Sequence, residues 1–210
     1  MVKGITLNKP AYFGRNNSVR VCFTTDASAL RMVSIGCRLG SDDITRLYIA
    51  GGPGSGKTTY ARYLSHRLGI PCLDLDTLKW ERQADSVVFN RKRDRNERVA
   101  LLHRFLSENP NWICEGVYFQ DWIIPLLERA DRVIVLKPNV WVRQFRIIRR
   151  SFRRRFGREP AKYHETLGTL YRLLRWSQVY DTCYLPQLLD KARRVGCPYR
   201  ILTGTDETDR

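Results

Sequence analysis

Acidic residues are scarce in this chain, with 21 Asp and Glu against 37 Lys and Arg, a formal net charge of +16. Such an imbalance implies a surface field that attracts phosphates, nucleic acids or anionic membranes. Long apolar runs are missing too. No stretch of about 18 uninterrupted apolar residues occurs, which excludes a membrane-spanning helix of the usual kind. The first residues lack an apolar h-region followed by a small-residue cleavage site. A cytoplasmic protein with no membrane partner is therefore expected. Close cysteine pairs are absent: the six cysteines stand at 22, 37, 72, 114, 183 and 197, and none has the spacing of a zinc ribbon or a redox motif. They read as reduced thiols, with Cys72 and Cys114 as small buried hydrophobes inside apolar runs. His66, His103 and His164 are isolated from one another and read as surface or helix residues. No internal repeat is visible, and no N-K-x-D element that would read guanine follows the later strands.

What remains is an ordinary globular composition, 43% apolar and 28% charged, in 210 residues, enough for one α/β domain with its own core. Residues 1–44 have mixed polarity and no sustained period, only 19–23 resembling a short strand, and read as an N-terminal extension. Residues 45–210 alternate between short apolar runs and helical periods, the pattern of a parallel sheet with crossover helices. The predicted strands are 47–50, 70–75, 112–114, 133–136 and 199–202. Predicted helices cover 58–68, 99–106 and 122–129, with two long ones after Pro138. In the first of these, Val142, Phe145, Ile148 and Phe152 recur at steps of three and four and form one apolar stripe, with arginines on the other faces. Leu167, Leu170, Tyr171 and Leu174 suggest a core stripe in the second. Gly157 and Pro160 break the basic run between them.

One segment carries chemistry directly. Gly51-Gly52-Pro53-Gly54-Ser55-Gly56-Lys57-Thr58 fits G-x-x-x-x-G-K-[ST], following Leu-Tyr-Ile-Ala and preceding an amphipathic helix. In such a P-loop the glycines let backbone amides curl around a phosphate, and the helix N-terminus adds its own amides and partial positive charge. Gly51, Gly52, Gly54, Ser55, Gly56, Lys57, Thr58 and Thr59 are the expected nucleotide-binding residues. Lys57 can bridge the β- and γ-phosphates of ATP, and the Thr58 hydroxyl can ligate Mg2+.

A metal held this way needs a carboxylate at a neighbouring strand end. Glu115, after Trp-Ile-Cys, is expected beside the P-loop and next to the magnesium. Asp76, one strand further out, is the expected general base toward a phosphate acceptor, because ligands collect at the carboxyl ends of parallel strands. Asp74 and Asp76 can equally cap the helix that follows. Eight arginines lie between Arg143 and Arg158. Arg146, Arg149 and Arg150 share a helical face, and Arg146 and Arg150 are the expected catalytic cations, in a lid over about 143–168. Two alternatives stay open for this run: a solvated basic face, and a nucleic-acid groove with Tyr163, Tyr171 and Trp176 as stacking residues. Trp80, Trp112 and Trp122 read as packing residues, Trp80 near enough to Asp76 to line an acceptor pocket.

Three blocks carry a family resemblance: the P-loop, Ile70-Pro71 through Leu75-Asp76-Thr77-Leu78-Lys79-Trp80, and Trp112-Ile113-Cys114-Glu115-Gly116-Val117-Tyr118. Over about 46–158 the chain resembles the small P-loop kinase-like DNA topology modulation proteins, relatives of adenylate and shikimate kinases. The resemblance implies a three-layer α/β/α fold and nucleotide-dependent phosphotransfer, with Asp76, Trp80 and Glu115 in matching positions and Arg146 and Arg150 as the paired arginines after the fourth strand. An adenylate-kinase-like sheet runs 2-3-1-4-5 when its strands are counted in chain order. The function so read is an ATP- and Mg2+-dependent phosphotransferase acting on a small-molecule or nucleotide acceptor; the alternative is an ATP-dependent nucleic-acid-binding or regulatory P-loop protein. The Arg-Pro and Gly-Cys elements of that family's lid are not evident in 159–168, and residues 1–44 have no counterpart.

Overall fold

The computed structural model describes residues 45–82, 89–156 and 166–203. The N-terminal extension, Arg158, Tyr163, His164 and the breaks at Gly157 and Pro160 lie outside the described residues.

Leu47, Tyr48, Ile49 and Ala50 are apolar without alternation, which suits a strand covered on both faces. They form β1 (Arg46–Gly51), at the centre of a five-stranded sheet. The other strands are β2 (Cys72–Asp74), β5 (Trp112–Gly116), β6 (Arg132–Leu136) and β7 (Tyr199–Leu202), in the order β2-β5-β1-β6-β7. Every pairing in it is parallel. Counted within this sheet the order is 2-3-1-4-5, as expected. Side chains alternate between two cores. Leu47, Ile49, Ile113, Ile134 and Leu136 pack with Tyr60, Ala61 and Leu64 of α1 (Lys57–Leu68). On the other face Tyr48, Ala50, Leu73, Cys114, Val133 and Val135 pack with residues of α3 (Arg95–Glu108), α4 (Ile124–Arg129) and α7 (Leu185–Arg194). Helices on both faces of a parallel sheet make this a three-layer α/β/α P-loop fold. Cys72 and Cys114 are buried, and burial pushes the Cys114 thiol well above its ordinary range.

Some boundaries shift. α3 starts at Arg95, four residues before the expected position, because the Asp94 carboxylate accepts a 2.7 Å hydrogen bond from the Asn96 amide and caps it. A 3-10 turn at Asp121–Ile123 leads into α4, whose first turn accommodates Pro125. Sequence periodicity missed an antiparallel hairpin of β3 (Trp80–Arg82) and β4 (Phe89–Lys92), which follows the single turn α2 (Asp76–Lys79). Its strands hold one aromatic each among charged residues, so no alternation announces them. Arg93 ties this hairpin down: it is buried, donates to the Thr77 and Leu78 carbonyls, and pairs with Glu81 and Glu97.

The largest departure concerns α5 (Val140–Arg155) and α6 (Leu167–Val179). The stripe of Val142, Phe145, Ile148 and Phe152 does not face the core; all four are exposed, Phe145 by 65%. Arg143 and Ile147 are buried instead. The reason is a charge partner: Arg143 makes two hydrogen bonds to Asp181, at 2.8 and 2.9 Å, and a third to the Ser177 carbonyl. Burying that ion pair turns the aromatic stripe outward. Leu167 and Tyr171 are likewise exposed, and α6 buries Ser177. A π-helical turn, Tyr180–Tyr184, joins α6 to α7. Among the described residues no helix is long and apolar enough to cross a membrane.

Candidate functional site

β1 ends in the glycine-rich loop. The Ser55 amide donates to the Gly52 carbonyl at 3.1 Å, and Gly54 and Gly56 adopt left-handed φ values of 78° and 92° that side chains resist. At Gly54 there is also no room, since a Cβ would lie 2.4 Å from the Arg143 carbonyl oxygen. Gly56 caps α1 without a side-chain hydrogen bond, and the first turn of α1 carries no acid. Its leading amides are therefore left for an anion, with the helix dipole adding to their pull. The Ser55 hydroxyl is buried and has no hydrogen-bond partner among the described residues. An uncapped helix start, left-handed glycines and an orphaned hydroxyl fit the phosphates of a nucleotide. Lys57 is half-buried at the first position of α1, and Thr59 is exposed in the same turn.

The register of β5 against β1 sets the first acid. Glu115 pairs with Ile49, putting its side chain at the carboxyl edge beside the loop. Thr58 Oγ1 donates to Glu115 Oε1 at 2.8 Å, and Glu115 is only 2% exposed. No group of three or more His, Cys, Asp or Glu among the described residues could hold a metal ion unaided. Mg2+ needs none, since it binds through one or two protein oxygens together with phosphates and water. The Thr58 and Glu115 oxygens fit that role.

Asp74 pairs with Glu115 across β2 and β5, and its Oδ1 accepts from the Asp76 amide at 2.9 Å, a local turn that leads the chain through Leu75 into α2. Asp76 heads that turn, and its Oδ1 accepts from the Tyr118 hydroxyl at 2.5 Å. Lys79 lies beside them, its Nζ 4.8 Å from the Tyr118 ring centroid and 5.7 Å from that of Trp80. Burial lowers the Lys79 pKa, with the Asp76 charge opposing the shift. Sequence reasoning gave Tyr118 and Lys79 no role. Their signal was spacing, three residues beyond Glu115 and Asp76 respectively. Gly116 makes the arrangement possible, because a Cβ there would lie 2.9 Å from the Tyr118 ring.

The arginines divide. Arg146 Nη1 donates to the Ser55 carbonyl at 3.3 Å and so reaches the P-loop. Arg150 is half-buried one turn later. Arg149 does not share their face: with Arg153 it lines an outward groove among Phe145, Ile148, Phe152 and Phe156. The cation most closely packed on the loop, Arg143, was read only as the start of a basic run. A Cβ on Gly52 would lie 3.0 Å from Arg143 Nη1 and from the Tyr180 ring. Ser177 Oγ donates to the Pro53 carbonyl at 3.3 Å. Arg143, Ser177, Tyr180 and Asp181 thus wall the outside of the loop. His66 and His103 are exposed, and Trp112 and Trp122 are buried, as read from the sequence.

No family model and no curated protein sequence matches this chain. Among solved structures it is similar to a shikimate kinase from Acinetobacter baumannii in complex with shikimate, at 18% identity and a TM-score of 0.49, over 78% of this chain and 87% of that one.

Proposed function

We propose that this chain is an ATP- and Mg2+-dependent phosphotransferase whose acceptor, a small molecule or nucleotide, binds between Asp76 and Glu115. The observation that carries the reading is the hydrogen bond from Thr58 to Glu115, which joins the P-loop to the end of β5 on the side of the sheet where Asp76 stands one strand further out. Magnesium ATP supplies the transferable phosphoryl group and the charge neutralisation its transfer requires. The loop amides and Lys57 bind and orient the phosphates. Thr58 and Glu115 hold the metal side. Asp76, oriented by Tyr118, accepts the proton of the acceptor hydroxyl. Arg146, with Arg150 behind it, brings positive charge to the loop. Within the same proposal, the three sequence blocks support kinship with the DNA topology modulation proteins.

The test is ADP release by purified protein supplied with ATP, Mg2+ and pools of hydroxyl-bearing metabolites. Acceptor-dependent turnover is expected, falling at least roughly a hundredfold in Asp76→Ala, the scale of losing a general base. Slow acceptor-independent hydrolysis that Asp76→Ala leaves untouched would sink the reading.

A further inference from the structure

The outward side of α5 serves no contact described above. Trp141, Phe145, Ile148, Phe152 and Phe156 are exposed by 73, 65, 37, 57 and 72%. At 3.6 residues per turn they fall within an arc of about 80° and run for about 22 Å along the helix. Ile147 and Arg143, the buried residues, lie on the opposite side. Phe145, Ile148, Phe152 and Phe156 line one continuous shallow groove with Arg149 and Arg153. By the same spacing Arg149 and Arg153 border the stripe on one flank and Arg155 on the other. No residue of α5 is acidic. On the neighbouring helix α6, Leu167 and Tyr171 are exposed as well.

We infer that α5 is a docking surface for an anionic lipid bilayer, on which the helix lies in the plane of the headgroups with its aromatic stripe inserted. A helix with an apolar face of Trp and Phe and a flank of arginines matches a surface that is anionic outside and apolar immediately beneath. Charge complementarity selects this occupant. A second copy docked face to face would set arginine against arginine with no α5 carboxylate to offset them. A nucleic-acid strand would pair with arginines and stack bases on single rings, but it would leave Ile148 and most of the apolar stripe in water, which a bilayer buries along its whole length. This docking differs from spanning: among the described residues no helix is long and apolar enough to cross a membrane. It does not depend on the phosphotransfer reading.

The test is sedimentation of the full chain with extruded vesicles of phosphatidylcholine alone and of phosphatidylcholine mixed with phosphatidylserine. Binding to the mixed vesicles is expected to exceed that to the neutral ones by roughly tenfold or more and to weaken with added salt. The variant Phe145→Ser/Phe152→Ser/Phe156→Ser is expected to lose roughly tenfold or more of that binding, while circular dichroism is unchanged because all three rings are exposed. Trp141 fluorescence is expected to be quenched by lipids brominated in the upper acyl chain, and Trp141→Phe to remove that component. The second readout stands even if the triple variant folds poorly. The inference is overturned if the chain ignores phosphatidylserine vesicles at low salt, or if brominated lipid leaves Trp141 unquenched. It is equally overturned if the triple variant abolishes self-association or single-stranded DNA binding and leaves vesicle binding intact.

Discussion

Arg143 takes a formal charge into the protein with no solvent exposure, and Asp181, 38 residues later in the chain, meets it with both carboxylate oxygens. A pair like this adds little net stability over a well-packed apolar pair, yet breaking it from one side strands a charge. Asp181→Asn is therefore expected to destabilise the fold by about 2 to 4 kcal/mol in urea denaturation. Because Arg143 backs Gly52 and Gly54, the same variant is expected to weaken ADP binding in calorimetry. The double variant Arg143→Met/Asp181→Leu, which removes both charges, should regain much of the stability but not the nucleotide affinity. Stability lost without any change in affinity would reduce this wall to packing alone. The candidate residues legible beforehand were those whose neighbours in sequence are also neighbours in the site. The glycines, Lys57, Thr58, Glu115 and Asp76 all lie at or just past the end of a strand. Arg143 was not legible, because what makes it buried is a carboxylate in another helix.

The strands show how far local pattern reaches. β1, β5 and β6 are short, mainly apolar runs, and parallel pairing buries both faces, so they stand out in the sequence; the edge strand β7 interrupts its run with the exposed Arg200. The β3–β4 hairpin does not stand out, being held by Arg93 and by backbone pairing rather than by an apolar face. For α5 the period was legible and the direction was not. A helical stripe tells which residues share a face, whereas which face turns inward depends on the partner, here Asp181 and Ser177. Pairing between β1 and β6 is anchored at its start by Asp131, which accepts from the Thr45 and Arg46 amides and from the Arg46 guanidinium. Burial alone would raise the Asp131 pKa, but the Arg46 side chain and the two amides outweigh it and hold the carboxyl below its ordinary value of 3.8. A carboxylate with a lowered folded-state pKa contributes stability that is fully present above the unfolded value and is lost as pH falls through the folded one. Asp131→Asn is thus expected to lower the melting temperature at neutral pH and to leave a shallower loss of stability below about pH 4. Parallel wild-type and variant curves across that window would show that Asp131 contributes nothing to acid sensitivity.

At the scale of the molecule, one sheet edge gathers the chemistry. β1 delivers the loop, β5 delivers Glu115, and the chain leaving β2 delivers Asp76, so that on the proposed reading a nucleotide and its acceptor together would brace three adjacent strands. A ligand that binds only the folded chain stabilises it by about 2.7 kcal/mol at a hundred times its dissociation constant. Magnesium ATP is expected to raise the melting temperature by several degrees, in line with that energy for a domain of this size, about 2 to 4 °C per kcal/mol. Lys57→Ala, which removes the lysine at the first position of α1, should cut that rise by more than half. An equal rise in wild type and variant would place nucleotide binding elsewhere. The positive charge of α5 is divided. Arg146 faces the loop, and Arg149 and Arg153 face away from it.

The phosphate loop is finished at residue 58, in the first third of the chain, but its outer wall comes from Ser177, Tyr180 and Asp181, and the last sheet strand from Tyr199–Leu202. During synthesis the glycine-rich turn therefore leaves the ribosome long before the residues that shape it. A nascent chain halted before residue 177 carries the complete motif and lacks its wall. Competence to hold a nucleotide is in this way a late event in the life of the polypeptide, and a chain truncated after α5 is expected to keep the signature while losing the site.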